Sequence, residues 1–225
     1  MNKMLLLAGI ASLVAFNVNA TEYNPYVAAR FARVNLQNDA YQYTNMYNAH
    51  SVIVDKKLND EQFGYRFAAC VLVPLCGGLA QSVRAELEYG LLNKSHNTGS
   101  WSFASQYPGT YSMQTKIQTL FANFYYDLDT GTAVTPYFGF GLGYARINEK
   151  AGVNVEPSTS ISAKGSEDNF AYNVGAGVSV NVAYNMDVEV GYRFTDYGQI
   201  KNNGADYVKR SYDSHEVLLG LRYTF

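Results

Sequence analysis

From Tyr26 to Phe225 the chain alternates, side chain by side chain, between an apolar set and a set that is polar or small. A period of two belongs to extended backbone, where neighbouring side chains point to opposite faces. Eight stretches carry it: 26–36, 63–71, 83–91, 119–126, 138–144, 172–181, 187–194 and 215–225. The third is the clearest, with Val83, Ala85, Leu87, Tyr89 and Leu91 interleaved with Arg84, Glu86, Glu88 and Gly90. The last sets Val217, Leu219, Leu221, Tyr223 and Phe225 against Glu216, Leu218, Gly220, Arg222 and Thr224. Short turns follow at Pro74 with Gly77-Gly78, at Asp129-Thr130-Gly131 and over 182–185. The other connections, 37–60, 93–112, 148–169 and 196–213, are long, polar and without a period, so they read as loops. Short and long connections alternate, which puts turns at one end of a sheet and loops at the other.

Collected over all eight stretches, the two faces differ sharply. The central positions of the apolar face hold no Asp, Glu, Lys or Arg. The other face holds Arg30, Arg66, Arg84, Arg193 and Arg222 with Glu86, Glu88, Asp187, Glu189 and Glu216, and also Gly139, Gly141, Gly143, Gly175, Gly177, Gly191 and Gly220. An eight-stranded barrel has an interior only wide enough for side chains to fill. Small and charged residues therefore belong inside, and the Phe, Tyr and Leu of the apolar face belong outside, in lipid. The inverted arrangement would place the five arginines against hydrocarbon at about 2–4 kcal/mol each, roughly a whole domain's stability of about 5–15 kcal/mol. Turned inward, the arginines and carboxylates can neutralise one another and fill the lumen without a continuous pore. The reading is an all-β fold: an eight-stranded antiparallel up-and-down transmembrane β-barrel with short periplasmic turns and long extracellular loops. Tyr89, Tyr144, Tyr192 and Phe194 are expected at the outer lipid boundary, and Tyr126, Phe138, Tyr223 and Phe225 at the inner one.

Composition adds to this in three places. Twenty Tyr, 12 Phe and 19 Gly favour strands and tight turns. The balance of 17 basic against 19 acidic residues gives no basic field for nucleic acid, and no nucleotide motif is present. Residues 1–20 form a separate unit, with Lys3, an apolar run over 4–16 and Val18-Asn19-Ala20 before Thr21. That is the pattern of a secretory signal peptide, too short for a membrane-spanning helix of about 20 residues, and it leaves 21–225 as the barrel domain.

Candidate chemistry is thin. Cys70 and Cys76 flank the first short turn; a disulfide in an exported chain and two small apolar residues at a strand end both account for them. His50, His96 and His215 lie in or beside the expected loops. His215 has Ser214 and Glu216 as neighbours, but adjacent strand residues face opposite ways and cannot form a triad. The Glu86, Glu88, Asp187 and Glu189 cluster shares its face with arginines, which suits lumen packing better than acid–base catalysis. Gly139 to Gly143 lacks the Lys-Ser/Thr of a phosphate loop. No catalytic set, metal site or cofactor is expected, and the chain is not read as an enzyme.

Several motifs, in their order and spacing, resemble the opacity-protein and surface-antigen type of eight-stranded outer-membrane β-barrel. They are Pro25-Tyr26-Val27, the run from Arg84 to Tyr89, Asn123-Phe124-Tyr125-Tyr126-Asp127, the run from Thr135 to Tyr144, and Gly220-Leu221-Arg222-Tyr223-Thr224-Phe225. The resemblance implies the outer membrane of a Gram-negative bacterium, contact with its lipid, and a last strand read by the barrel assembly machinery through Gly220, Tyr223 and Phe225. Leu218 departs from the polar residue common in that signal. It further implies a non-enzymatic surface protein for envelope structure or for adhesion to a host or matrix ligand; porin-like passage of small solutes and lipid modification are the alternatives. Tyr41, Tyr43, Tyr47, Trp101, Phe103, Tyr107 and Tyr111 of the long connections are suited equally to contact surfaces and to packing over the barrel mouth.

Overall fold

In hydrocarbon every backbone N–H and C=O must find a partner within the protein, so a sheet crossing it can have no free edge. The computed structural model, which describes residues 25–38, 41–45, 50–54, 58–70, 83–103, 107–155, 159–203 and 206–225, meets this by closing on itself. The strands are β1 (Tyr26–Asn38), β2 (Tyr41–Asn45), β3 (His50–Val54), β4 (Leu58–Ala69), β5 (Val83–Leu92), β6 (Ser95–Phe103), β7 (Tyr107–Asp127), β8 (Val134–Val155), β9 (Thr159–Ala183), β10 (Met186–Asn203) and β11 (Asp206–Thr224). Eight of them, β1, β4, β5, β7, β8, β9, β10 and β11, follow one another around an antiparallel barrel. It closes by pairing β1 with β11, from Tyr26↔Thr224 to Asn38↔Tyr212, and Phe225 donates its N–H to the Pro25 carbonyl at 3.0 Å. The export signal expected over 1–20 and the turn residues Pro74, Gly77 and Gly78 lie outside the described residues. No helix among the described residues is long and apolar enough to cross a membrane, and the strands make the crossing instead.

The faces fall as the alternation implies. Phe31, Phe67, Leu120, Phe140, Leu142, Val174, Val190, Leu219 and Leu221 are exposed on the outer wall, while Arg30, Arg66, Glu86, Glu88, Asn123 and Glu216 are buried inside. Outward aromatic rings pair across strands, Phe31 with Phe63 at 5.2 Å, Phe124 with Phe140 at 5.5 Å and Tyr126 with Phe138 at 5.5 Å between centroids. At the end carrying the short turns, Gly131 adopts φ 66° and donates its N–H to Asp129 Oδ1 at 2.8 Å. That end is periplasmic in bacterial barrels, and the longer connections are extracellular.

Two expectations need correction. The interior is not reserved for small residues: Tyr26, Phe121, Tyr125, Tyr137, Tyr197 and Tyr212 are all buried within it. Glycine makes the room. A Cβ on Gly139 would strike the Tyr125 ring, and one on Gly191 would lie 2.6 Å from the Tyr137 hydroxyl. The second correction concerns the long connections, much of which is strand. β6 pairs with β7 from Ser95↔Thr115 to Phe103↔Tyr107, β8 with β9 as far as Val155↔Thr159, and β10 with β11 as far as Asn203↔Tyr207. Part of 37–60 forms the β2–β3 hairpin, from Tyr41↔Val54 to Asn45↔His50. Above the lipid the outward face meets water, so the apolar–polar contrast fades while the backbone ladder continues.

A bulge in β10 adds to the effect. Asp196 pairs with Asp213 and Gly198 with Tyr212, which leaves Tyr197 as the extra residue. Gly198 has φ 79° and donates its N–H to Asp196 Oδ1 at 2.7 Å. Tyr197 keeps the inward phase of Arg193 and Thr195, and the bulge shifts the inward positions from odd to even numbers beyond it. Alternation counted along the sequence breaks at that point.

Candidate functional site

The barrel interior has two layers. Toward the periplasmic end it is ionic, and all ten residues expected there are brought together. Arg30 is the hub: Nη1 donates to Glu86 Oε1 at 2.7 Å and Glu88 Oε2 at 3.1 Å, Nη2 to Glu86 Oε2 at 3.1 Å, and Nε to Glu189 Oε2 at 2.9 Å. Glu88 also takes Arg193 at 2.6 Å and lies 3.7 Å from Arg66. Glu189 receives Arg84 at 3.3 Å and Arg222 at 3.1 Å. At the periplasmic mouth Arg222 meets Asp187 at 2.9 Å. Glu216 Oε1 accepts from Arg66 Nη2 at 2.5 Å, from Tyr197 at 2.7 Å and from Ser214 at 2.9 Å. Arg66 Nε and Glu216 Oε2 are buried without a hydrogen-bond partner.

Several members were absent from the sequence expectation. Asp127 binds Arg84 through Nε at 2.6 Å and Nη2 at 2.8 Å, so six carboxylates, not five, face the five arginines. It continues the phase of Asn123 and Tyr125 by one more inward position, a signal that was available. Tyr26 donates to Glu86 at 3.0 Å, and Arg84 lies over the rings of Tyr125 and Tyr137 at 4.8 and 5.2 Å. A cavity of about 10 Å³ beside Arg30, Tyr137 and Arg193 has room for about one water molecule.

Toward the extracellular end an apolar cluster joins buried Asn38, Gln62, Thr115, Thr195 and Ser214. Val34, Leu36, Leu92, Ile117, Phe121, Ile147 and Leu218 pack with Tyr197 and Tyr212 into one buried cluster. The charge network therefore does not fill the lumen by itself, as the sequence had implied. Leu218, the departure from the motif of the last strand, belongs to this apolar layer.

The remaining marked residues lie apart from both layers. Gly220 is buried, where a Cβ would come 2.8 Å from Arg30 Cγ, while Tyr223 and Phe225 are exposed on the outer wall with their rings 5.3 Å apart. Cys70 is buried and is no free thiol; Cys76 lies outside the described residues. His50 and His96 lie on strands where loops were expected, and His215 lies on the closing strand as expected. His215 faces outward with Nδ1 2.5 Å from the Tyr192 hydroxyl, and its neighbours Ser214 and Glu216 point into the barrel. His96 lies on β6 with Nδ1 3.2 Å from Gln114 Nε2, and His50 opens β3. Of the connection aromatics, Tyr41 and Tyr43 lie on β2, Trp101 and Phe103 on β6, and Tyr107 and Tyr111 on β7; Tyr47 is outside the described residues.

On the outer wall of β7, β8 and β9 the lipid boundary can be followed row by row. Leu120, Tyr144 and Phe170 form one row, and Gln118, Arg146 and Asp168 the next one up. Arg146 donates to both oxygens of Asp168 at 2.6 Å, and those hydrogen bonds hold the Asp168 carboxyl below its ordinary range. Ionised pairs above an aromatic row mark where hydrocarbon ends.

The profile of the family described as outer membrane protein beta-barrel domain matches residues 4–225. Outer membrane protein PagN of Salmonella typhimurium is 31% identical over 124 residues, which cover 50% of this chain and 51% of PagN, about half the length of that relative. A candidate adhesin of Rickettsia felis is 25% identical over 239 residues, covering 99% of both chains. Among solved structures, the outer membrane protease OmpT of Escherichia coli superposes with a TM-score of 0.55 at 13% identity, over 93% of this chain and 99% of OmpT, a likeness of fold alone.

The ionic layer yields a prediction. Replacing Arg30 with Met leaves buried Glu86 without an arginine and takes one partner each from Glu88 and Glu189, which costs about 3–5 kcal/mol. The urea midpoint of the refolded barrel should fall accordingly, while Arg33→Met, which removes the exposed ion pair with Glu61, should leave it unchanged. Equal midpoints for the two variants would contradict a stabilising hub at Arg30.

Proposed function

Because the chain belongs to the outer membrane protein β-barrel family and lies in the outer membrane of a Gram-negative bacterium, we propose that it is a non-enzymatic surface protein whose extracellular hairpins bind a host or matrix ligand. The observation that carries this is the length of paired strand beyond the lipid boundary. On β8 the ladder runs from Tyr144, opposite Phe170, to Val155, opposite Thr159, about 35 Å of strand at about 3.3 Å per residue. Hairpins held by their own ladders present side chains on a rigid support, which lowers the ordering cost of binding. Aromatic residues on β2, β6 and β7 are of the kind enriched at contact surfaces. The likeness to a candidate adhesin over 99% of both chains supports the same reading.

Two features argue for an inert barrel beneath the hairpins. The carboxylates of the charge network, Glu86, Glu88, Asp127, Asp187, Glu189 and Glu216, are each engaged by an arginine. His215 is turned away from Ser214 and Glu216, so this histidine lacks the orientation for a hydrolytic set. Around the barrel itself, we read residues 1–20 as cleaved on export, Cys70 and Cys76 as a disulfide, and Phe225 with Tyr223 as part of the signal for assembly.

Three outcomes follow. Replacing residues 41–54, 95–111, 150–164 and 199–209 with short turns should reduce bacterial attachment to cultured host cells at least tenfold with the barrel still in the membrane; unchanged attachment would remove the binding role. Reconstituted protein should show no large, steady conductance in planar bilayers, and sustained current would restore the porin-like alternative. The mature protein from the outer-membrane fraction should have a mass beginning at Thr21 and gain two hydrogens on reduction, and deleting Phe225 should deplete that fraction; an uncleaved mass, an unaltered reduced mass or undiminished assembly would each refute the corresponding reading.

A further inference from the structure

We propose that the outer wall of β7, β8 and β9, just above the aromatic row, is a binding site for the phosphate groups of the outer-leaflet glycolipid. The register places Lys116, Asn148 and Ser166 in one row and Gln114, Lys150 and Lys164 in the row above it. Lys150 and Lys164 are direct cross-strand partners, and Lys116 lies on the diagonal to Lys150. All three share the outward parity of Tyr144 and Phe170. Like charges set directly opposite each other destabilise a sheet. Among the described residues no carboxylate pairs with Lys116, Lys150 or Lys164. Asp168, in the row below, is already engaged at both oxygens by Arg146. An anion from outside the chain would relieve the repulsion, and a phosphate is the compact multivalent group that three ammonium groups can share.

Height and direction identify the source of that phosphate. Lys116 stands two rows above Tyr144 and Phe170, and Lys150 and Lys164 stand three rows above. With about 6.7 Å per row and a strand tilt of roughly 40°, this is roughly 10–15 Å above the boundary. A lysine stem leaning back along the wall brings its ammonium down to the headgroup layer, roughly 5–8 Å thick. The three side chains lie at the foot of a hairpin that continues to Val155 and Thr159, where they face the surrounding leaflet and not the medium above. On β10 and β11 the register also sets Lys201 opposite Lys209, but two rows above Asp196 and Asp213, whose carboxylates lie between those lysines and the aromatic row; on β1 and β4, Glu61 is paired with Arg33 at 2.7 Å. The glycolipid phosphate is thus expected on β7–β9, where the carboxylate below the lysines is already engaged by Arg146.

The test compares bisphosphorylated lipid A with its dephosphorylated form, each titrated into the folded mature protein in mixed micelles and read by native mass spectrometry. The parent protein should bind the phosphorylated form at least tenfold more tightly. The triple variant Lys116→Gln, Lys150→Gln, Lys164→Gln should lose that preference, and the corresponding triple Lys→Arg variant should retain it. Folding of each variant is checked by heat-modifiable gel mobility. Absence of discrimination by the parent protein, or a Gln variant that is folded and still discriminates, would overturn the proposal. So would binding of a heparin oligosaccharide through the same lysines with no preference between the two lipids, because the patch would then belong to a soluble polyanion.

Discussion

The narrowness of an eight-stranded cylinder governs this molecule more than any single contact. Each inward position is a fixed volume that must be filled without a void and without a lone charge. Glycines at Gly139, Gly191 and Gly220 are the counterpart of Tyr125, Tyr137 and Arg30, since each occupies the space that the larger group needs. The arginines extend this logic to charge. Arg30 is satisfied because Glu86, Glu88 and Glu189 approach it from β5 and β10, strands far from β1 in sequence. The interior is thereby a lock on barrel geometry, because these ion pairs form only when β1, β4, β5, β7, β10 and β11 are in register.

How much was legible in the sequence depended on the solvent around each residue. In the membrane the two faces of a strand meet different media, and residues such as Leu120 and Thr119 carry the contrast openly. Beyond Arg146 and Asp168 the outward face turns polar as well, and the strand character of 148–155 and 159–169 left no trace in the hydrophobic pattern. The bulge at Tyr197 hid a further piece by shifting the phase, so that the loop expected from Asp196 begins where β10 merely changes parity. Asp127 and Tyr137 were missed for a different reason: each lies one inward position beyond where the alternation had been followed. The apolar layer of Leu36, Ile117 and Ile147 could not be placed without knowing that β1, β7 and β8 extend above the membrane.

The two ends of the barrel thus do different work. The periplasmic half is a dry, ion-paired support, and the extracellular half is a set of hairpins whose ladders are continuous with it. The boundary between them is a layer of chemistry in its own right, where rings, ion pairs and the lysines of β7–β9 succeed one another within a few residues. A surface protein of this design needs its wall to hold position in the leaflet, since any movement would be passed directly to the hairpins above.

The pairing of β1 with β11 joins residues near opposite ends of the chain, with Tyr26 facing Thr224. Until the last strand arrives, β1 has an edge of unpaired amides and carbonyls that hydrocarbon does not tolerate. Closure is also the contact of greatest sequence separation, and such contacts form slowly because the connecting chain must first be ordered. The order of events in time is therefore constrained by the topology. Either the unfinished sheet waits outside the hydrocarbon, or another polypeptide holds the exposed edge of β1 until Phe225 reaches Pro25.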